Sequence, residues 1–125
     1  MFQIDNQSRQ AIYEQIIEQI EQHILVGILS GGDKMPSVRS LSVTLHINPN
    51  TVQRAYTELE RDGILVTAPG RGAFVHEEGF FKLKHKKQES NISKLRMLVN
   101  ELQLYGMSTT ELTSLFEEAL HDKSN

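Results

Sequence analysis

Two short amphipathic segments, separated by about three residues, constrain the fold of this chain more than any other feature of its sequence. The first opens at Pro36-Ser37, where serine is a favoured N-cap, and the second at Asn48-Pro49, where an N-cap residue precedes proline at the first helical position. Asp62-Gly63 supplies a glycine C-cap. We predict two short helices joined by a tight turn at His46-Ile47, which is a helix-turn-helix pattern. Their apolar positions are Val38, Leu41 and Leu45, then Val52, Ala55, Tyr56 and Leu59.

Two short runs rich in β-branched and aromatic residues follow the second segment directly. Residues 64–67 and 73–75 flank a turn that contains Pro69, Gly70 and Gly72, an arrangement typical of a β-hairpin. A helix-turn-helix followed by a hairpin is a winged helix. The predicted fold class is therefore mainly α with a small β-hairpin, in the form of a winged helix-turn-helix followed by a C-terminal two-helix hairpin.

Isoleucines at helical spacing predict a further helix before these segments. Ser8 is its predicted N-cap and Gly27 its predicted stop. The glycine-rich residues 30–33 follow this helix, whereas a phosphate-binding loop would follow a strand, so we interpret them as a turn. The isoleucines are Ile12, Ile16, Ile17, Ile20 and Ile24.

The composition changes after Glu78, and we interpret the basic and apolar residues 79–87 as a link between two parts. Apolar residues then recur at helical spacing as far as Tyr105, and residues 108–111 fit a capping box for another helix. The predicted domains are the winged helix at residues 1–78 and a C-terminal helical region at residues 79–125. A helical hairpin of roughly 35 residues cannot bury two apolar stripes alone, so we expect packing against the winged helix or a second copy.

Charged residues are distributed unevenly along the 125-residue chain. The formal net charge is −3, but residues 34–87 contain nine basic and five acidic residues, and no Asp or Glu lies between Lys34 and Thr57. An acid-free stretch on an otherwise acidic protein is typical of a face that binds a polyanion. Chance clustering is the alternative explanation of the charge pattern taken alone.

Composition argues against several classes of protein and of site. The chain has no cysteine, which removes disulfides, thiolate nucleophiles and cysteine zinc sites. The five histidines are scattered, and no catalytic triad order or carboxylate pair stands out, so we predict no metal, no cofactor and no enzymatic activity. The apolar run 24–29 is too short to span a bilayer and the N-terminus lacks signal-peptide features. These features predict a cytoplasmic protein with no membrane partner.

The outward face of the second short helix carries side chains suited to DNA recognition. Asn and Gln can pair bidentately with adenine and Arg with guanine, while Thr can contact a phosphate or a thymine methyl group. The helix N-terminus offers free N–H groups to a phosphate. A solvated face is the alternative, but on this acidic protein it would more commonly carry Glu and Lys pairs. The outward residues are Asn50, Thr51, Gln53, Arg54 and Thr57.

Two further arginines lie beside this face in the predicted winged helix. Arg39 occupies the first turn of the preceding helix with no acidic residue near it in sequence, which favours a phosphate or guanine contact. Arg71 stands between Gly70 and Gly72 at the hairpin tip, and a glycine-flanked arginine can enter a narrow minor groove. For the two glycines themselves, a turn that requires their backbone freedom is an equally good explanation.

Residues 34–41, 48–56, 59–63 and 70–75, in this order and spacing, resemble the GntR family of bacterial transcription regulators. The box from Asn48 to Thr51 and the short C-terminal part are similar to its YtrA subfamily. Many family members carry arginine where this chain has Gln53, which bears on the operator sequence. With Ser37 and Asn48 added from the capping positions, the predicted DNA-binding residues are Ser37, Arg39, Asn48, Asn50, Thr51, Gln53, Arg54, Gly70, Arg71 and Gly72.

The resemblance implies a repressor that binds a pseudo-palindromic double-stranded operator as a homodimer, often one encoded beside an ABC transporter that it controls. Arg39, Thr51 and Asn48 are expected at phosphates, whereas Asn50, Gln53 and Arg54 are expected to read base edges. Half-sites would lie roughly 10 bp apart, or further if the dimer separates the wings. The resemblance assigns dimerisation to the C-terminal helices, whose apolar residues include Leu95, Leu98, Val99, Leu102, Leu112, Leu115 and Phe116.

Two other functions stay open from the sequence. The outward face of a winged helix can instead dock a partner protein, and such a module would have no affinity for duplex DNA. A regulator that senses an unidentified small-molecule effector is the other alternative, with a ligand site at the C-terminal dimer interface. In that case Phe80, Phe81 and Tyr105 would line the pocket.

Overall fold

The computed structural model describes residues 2–122, and these residues form five helices and one two-stranded sheet. The predicted fold class, a mainly α winged helix-turn-helix with a small hairpin and two C-terminal helices, is confirmed. The elements in chain order are α1 (Ile12–Leu25), α2 (Val38–Leu45), α3 (Pro49–Arg61), β1 (Leu65–Ala68), β2 (Gly72–Val75), α4 (Gly79–Leu104) and α5 (Thr109–His121).

One apolar core holds α1, α2, α3 and the hairpin together. The isoleucines at positions 16, 20 and 24 lie on one face of α1 because residues four apart share a helix face. Burying a side chain of this size contributes about 1.5–3 kcal/mol. The core fixes the inward face of α3, and this leaves its opposite face to solvent. The fully buried side chains include Ile16, Ile20, Val52, Tyr56, Leu59, Ile64 and Leu83.

The predicted caps of α2, α3 and α5 are confirmed. The Ser37 hydroxyl oxygen accepts a hydrogen bond from the Ser40 amide, and the Asn48 side chain accepts one from the Asn50 amide at 2.7 Å. Ser108 and Glu111 form the reciprocal capping box of α5. Each cap satisfies a backbone N–H that the helix leaves unpaired and contributes about 1 kcal/mol.

The predicted N-cap of α1 is wrong, although its predicted stop at Gly27 is confirmed by the end of the helix at Leu25. The helix begins at Ile12 without a side-chain cap, and the Ser8 hydroxyl instead accepts a hydrogen bond from the Gln10 amide in a preceding turn. The buried Gln15 amide holds this turn, because it exchanges two hydrogen bonds with the backbone of Asp5. The Ser8 hydroxyl is therefore used in the turn before α1 and does not cap the helix.

The hairpin pairs β1 and β2 in antiparallel register, with Leu65 opposite Val75 and Ala68 opposite Gly72. We call β1, β2 and the turn between them the wing. The Arg71 amide donates to the Ala68 carbonyl at 2.9 Å. Gly70 has a φ of +74° in the third position of this turn, which after a proline is the geometry of a type II turn. The wing also pairs with the turn that precedes α2, because the Met35 amide donates to Ala73.

Residues 79–87, predicted as a link, are helical and form the first turns of α4. Leu83 is fully buried in the winged-helix core, and the Lys86 ammonium lies 2.7 Å from Asp62 and 3.4 Å from Glu21. Burial acts to lower the pKa of Lys86, but the hydrogen bond to Asp62 and the negative charges of Glu21 and Asp62 raise it overall. These contacts explain why the compact first unit extends to Lys86, whereas the sequence places a boundary after Glu78.

The second compact unit begins at Lys87 and contains the rest of α4 and all of α5. Within it, the two helices enclose an apolar groove of about 270 Å³. Its side chains include all seven residues that the sequence assigns to dimerisation, with Ala119 in addition. The lining residues are Leu95, Leu98, Val99, Leu102, Leu112, Leu115, Phe116 and Ala119.

Candidate nucleic-acid interface

The N-terminal half of α3 presents polar side chains to solvent because its apolar side chains anchor the opposite face. Val52, Ala55, Tyr56 and Leu59 are all buried, while the amide and guanidinium side chains between them are exposed. Thr51 is half-buried, so it faces outward less than the sequence predicts. The exposed outward residues of α3 are Asn50, Gln53, Arg54, Thr57 and Arg61.

Two side chains on this face are held in defined positions before any ligand is present. The Gln53 side-chain amide donates a hydrogen bond to the Thr57 hydroxyl at 3.1 Å, which leaves the Gln53 carbonyl oxygen as a free acceptor within the described residues. The carbon at the centre of the Arg54 guanidinium lies 3.7 Å from the centroid of the Tyr13 ring, and its Nε lies 3.7 Å from a Glu58 carboxylate oxygen. Neither side chain is covered by the wing, and the Arg54 side chain stays 59% exposed.

Tyr56 fixes α3 against the residues that lead into α2. Its hydroxyl donates a 2.7 Å hydrogen bond to the Pro36 carbonyl, and its side chain is 1% exposed. Burial raises the pKa of Tyr56 to about 12, because the charged phenolate is poorly solvated there. The neutral hydroxyl therefore holds this junction across the physiological pH range.

A shallow cleft of about 210 Å³ joins three of the predicted DNA-binding residues. Ser37 at the start of α2, Gln53 on α3 and Gly72 in the wing all line it. The Thr67 hydroxyl donates to a Glu60 carboxylate oxygen at 2.6 Å, so the wing is tied to α3 inside this cleft. The helix-turn-helix and the wing consequently form one continuous surface.

Arg39 and Arg71 are both exposed, and they lie on the two elements next to α3, which are α2 and the wing. Arg39 lies in the first turn of α2, and Arg71 lies at the tip of the wing between Gly70 and Gly72. Neither side chain forms an ion pair with any residue that the structure describes. Both guanidinium groups are therefore available to an anionic ligand.

Sequence reasoning did not include Lys34 among the site residues. The backbone of Lys34 forms a bridge with Phe74 of β2, and its side chain approaches Gly72 at the base of the wing tip. Lys34 is exposed, so it adds a cationic side chain next to Gly72 on the wing. The signal was present in the sequence, because Lys34 opens the acid-free stretch, but its pairing with the wing is a tertiary contact.

The acid-free stretch of residues 34–57 ends at two acidic residues of α3, Glu58 and Glu60. The sequence did not show which groups these two carboxylates contact. Glu58 pairs with Arg54 and Glu60 accepts from Thr67, so both acidic side chains are engaged on the C-terminal half of α3. The N-terminal half, from Pro49 to Thr57, carries no acidic residue. The positive and amide-rich part of the surface is thus the N-terminal end of α3, where the helix dipole also favours an anion. The expectation of free N–H groups at this end is wrong, because the Asn50 amide donates to the Asn48 side chain and the Thr51 amide donates to the Asn48 carbonyl.

The sequence analysis also named three aromatic residues as the lining of a possible effector pocket, and it predicted no metal site. Phe80 and Phe81 are exposed in the first unit, where their rings meet edge to face at 5.5 Å, and Tyr105 is exposed in the second unit. Over residues 2–122, no three His, Asp or Glu side chains form a cluster that would hold a metal ion. The same residues include no helix that is long and apolar enough to cross a membrane.

Comparisons with known proteins show which family this chain resembles. The sequence matches the family described as bacterial regulatory proteins, gntR family, over residues 12–75. The transcriptional repressor YtrA of Bacillus subtilis is 40% identical over 98% of this chain and 94% of its own length. A transcriptional regulator from Oenococcus oeni, at 28% identity, has a TM-score of 0.78 over 96% of this chain and 99% of its own.

A third comparison extends the likeness to a YtrA structure. YtrA from Sulfolobus acidocaldarius, a GntR-family transcription factor, is 34% identical with a TM-score of 0.59 over 74% of this chain and 97% of its own. These relatives are transcription regulators and not enzymes, in agreement with the sequence prediction. The chain belongs to the GntR family of bacterial transcription regulators, resembles its YtrA subfamily, and has a helix-turn-helix DNA-binding domain.

Proposed function

We propose that this protein is a repressor that binds a pseudo-palindromic operator as a homodimer. The observation that carries the proposal is the N-terminal half of α3, where exposed amide and guanidinium groups stand on a rigidly buried helix with no acidic residue among them. The protein is 40% identical to the Bacillus subtilis repressor YtrA over nearly its whole length, which supports the repressor function.

The side chains divide between two kinds of contact in this proposal. Arg39, Thr51 and the Asn48 end of α3 contact phosphates and set the register, because backbone contacts position a protein without reading sequence. Asn50, Gln53 and Arg54 read base edges in the major groove. The wing tip, with Arg71 between two glycines and Lys34 beside it, reaches the neighbouring minor groove or its phosphates.

A second copy of the chain is the proposed occupant of the apolar groove between α4 and α5. The groove is lined only by apolar side chains, and several of them, including Leu98 and Phe116, are about half-exposed in the single chain. Self-association buries the same stripe on both partners, as a two-fold interface requires. Two copies also match the symmetry of a pseudo-palindromic site.

The resemblance to the YtrA subfamily supports a proposal for the physiological target. We propose that the repressor acts in the cytoplasm and controls an operon that encodes an ABC transporter. We expect the repressor to control the operon that contains its own gene. The region upstream of that operon is therefore the first duplex to test. An effector that binds the folded repressor would raise its thermal midpoint, and the shift would grow with the logarithm of ligand concentration.

The test is a titration of the full chain against a duplex selected from a random pool and against a scrambled duplex of equal length. We expect 10³-fold or greater preference for the selected duplex and a steep decrease of affinity with salt. A chain that binds no duplex at 50 mM salt would contradict the proposal and would favour a protein-docking winged helix. Binding of both duplexes with equal affinity would contradict sequence-specific recognition.

A further inference from the structure

The guanidinium of Arg54 is held from two sides by residues outside its own turn. The Tyr13 ring of α1 lies beneath its central carbon at 3.7 Å, and the Glu58 carboxylate, one turn along α3, lies 3.7 Å from its Nε. No described residue accepts from its two terminal NH₂ groups. An arginine stacked on an aromatic face is restricted in orientation while its terminal donors stay available.

We propose that Tyr13 is a positioning residue for DNA recognition, which holds Arg54 in a base-reading orientation before the operator arrives. The inference rests on the proposed function, in which Arg54 reads a base edge. Ordering a long side chain at an interface costs binding free energy, and a side chain that is already ordered avoids this cost. Tyr13 therefore contributes to operator affinity and to base selectivity from α1, without any contact of its own with DNA.

The position of Tyr13 supports a specific role. Tyr13 is half-buried at the N-terminal end of α1 and packs at the edge of the core, so its ring is fixed by the fold. Glu58 alone would hold the guanidinium poorly, since an exposed pair of residues four apart on a helix is weak. The flat ring restricts the plane of the guanidinium, and that plane sets the direction of the two donors that would pair with guanine.

Three substitutions separate positioning from simple packing. Tyr13→Leu keeps an apolar side chain but removes the ring, and we expect a roughly three- to tenfold loss of affinity for the selected operator. Tyr13→Phe keeps the ring and should restore affinity to within about twofold of the wild type. In the Arg54→Ala background, Tyr13→Leu should cause no further loss, because the group it positions is absent.

The selectivity readout uses duplexes in which each operator base pair is changed singly. Arg54→Ala should lose discrimination at one base pair per half-site, and Tyr13→Leu should lose part of the discrimination at the same base pair. The free protein offers a second measurement, because ring-current shifts should move the Arg54 Cδ protons upfield in the NMR spectrum of the wild type and of Tyr13→Phe but not of Tyr13→Leu.

Phe80→Leu is the matched control, because it removes the other ring that carries a stacked cation among the described residues, at Lys84. It should leave operator affinity unchanged. Wild-type affinity in Tyr13→Leu, equal loss on every duplex, or additive losses in the double variant would each overturn the inference while the proposed function stands. A wild-type chain that binds no duplex would overturn both.

Discussion

The phenolic hydroxyl of Tyr56 donates a 2.7 Å hydrogen bond to the carbonyl oxygen of Pro36, a residue twenty positions earlier in the chain. This contact joins the buried face of α3 to the turn that opens α2. Its partners are a core side chain and a backbone group, so it fixes the relative position of the two helices of the helix-turn-helix.

Tyr56→Phe should destabilise the fold by roughly 1–2 kcal/mol, because the Pro36 carbonyl loses its donor while the ring still fills the core. The pKa of Tyr56 is raised to about 12 in the folded state, above the ordinary value of 10.0. Its contribution is therefore fully present below pH 10 and is lost as the pH rises through about 12. Urea unfolding of the wild type and of Tyr56→Phe at several pH values measures the difference between their free energies of unfolding. This difference should narrow between pH 10 and 12. A constant difference across that range would contradict the assignment.

Asn48→Asp should separate folding from DNA binding. Aspartate is as good an N-cap as asparagine, so the cap on the Asn50 amide and the thermal midpoint should be retained. We propose that this end of α3 faces phosphates, so a carboxylate there would repel the DNA backbone, and we expect at least a tenfold loss of operator affinity. Asn48→Ala is the complementary variant, because it should lose about 1 kcal/mol of stability. Unchanged affinity in Asn48→Asp would remove this helix end from the interface.

Arg39→Ala should weaken operator binding by roughly 1–3 kcal/mol, as expected for loss of a guanine or phosphate contact. If the contact is a phosphate, the slope of log affinity against log salt should fall by about 1. Fluorescence anisotropy at four salt concentrations measures both quantities. Arg9→Ala is the control, since it removes an exposed arginine in the N-terminal segment, outside the proposed interface. Equal affinities for Arg39→Ala and the wild type at fixed salt would exclude Arg39 from the site.

Leu98→Glu and Phe116→Glu should each prevent dimerisation, because a carboxylate in the apolar groove would be buried without a partner. Sedimentation velocity should then report a species near the chain mass of 14.2 kDa. Affinity for the full operator should fall more than 100-fold, while binding to an isolated half-site should change little. Met97→Glu places the same charge on an exposed position of α4 that does not line the groove, and it should stay dimeric. A dimer in all three variants would place the interface elsewhere.

Much of the fold follows from local signals in the sequence. Ser37, Asn48 and Ser108 cap their helices as expected, and the proline and glycine before Arg71 form the predicted turn. Such features depend on the hydrogen bonds and backbone angles of neighbouring residues, so a few positions of sequence suffice to predict them. The predicted cap at Ser8 is wrong because its hydroxyl accepts from the Gln10 amide in a separate turn, which Gln15 holds through hydrogen bonds to the Asp5 backbone.

The candidate site also combines residues that local sequence predicts with contacts that only the folded chain shows. Helical spacing was enough to place Asn50, Gln53 and Arg54 on the outer face of α3, because the buried apolar stripe leaves only one face free. Spacing could not reveal that Tyr13 lies under Arg54, since α1 and α3 meet only in the folded core. The approach of Lys34 to the wing is likewise a contact between separate parts of the chain.

The sequence by itself determined the order and type of the elements, the apolar faces of the helices, and the polar side chains left on the outer face of α3. The tertiary structure decided how those side chains are held, and it showed that α4 begins within the winged helix, where Leu83 is buried and Lys86 pairs with Asp62. The physical reason is the distance along the sequence between the residues that interact. Caps, turns and helix faces are set by residues within about four positions, whereas stacking, ion pairing and core burial depend on residues that only the packed chain brings together.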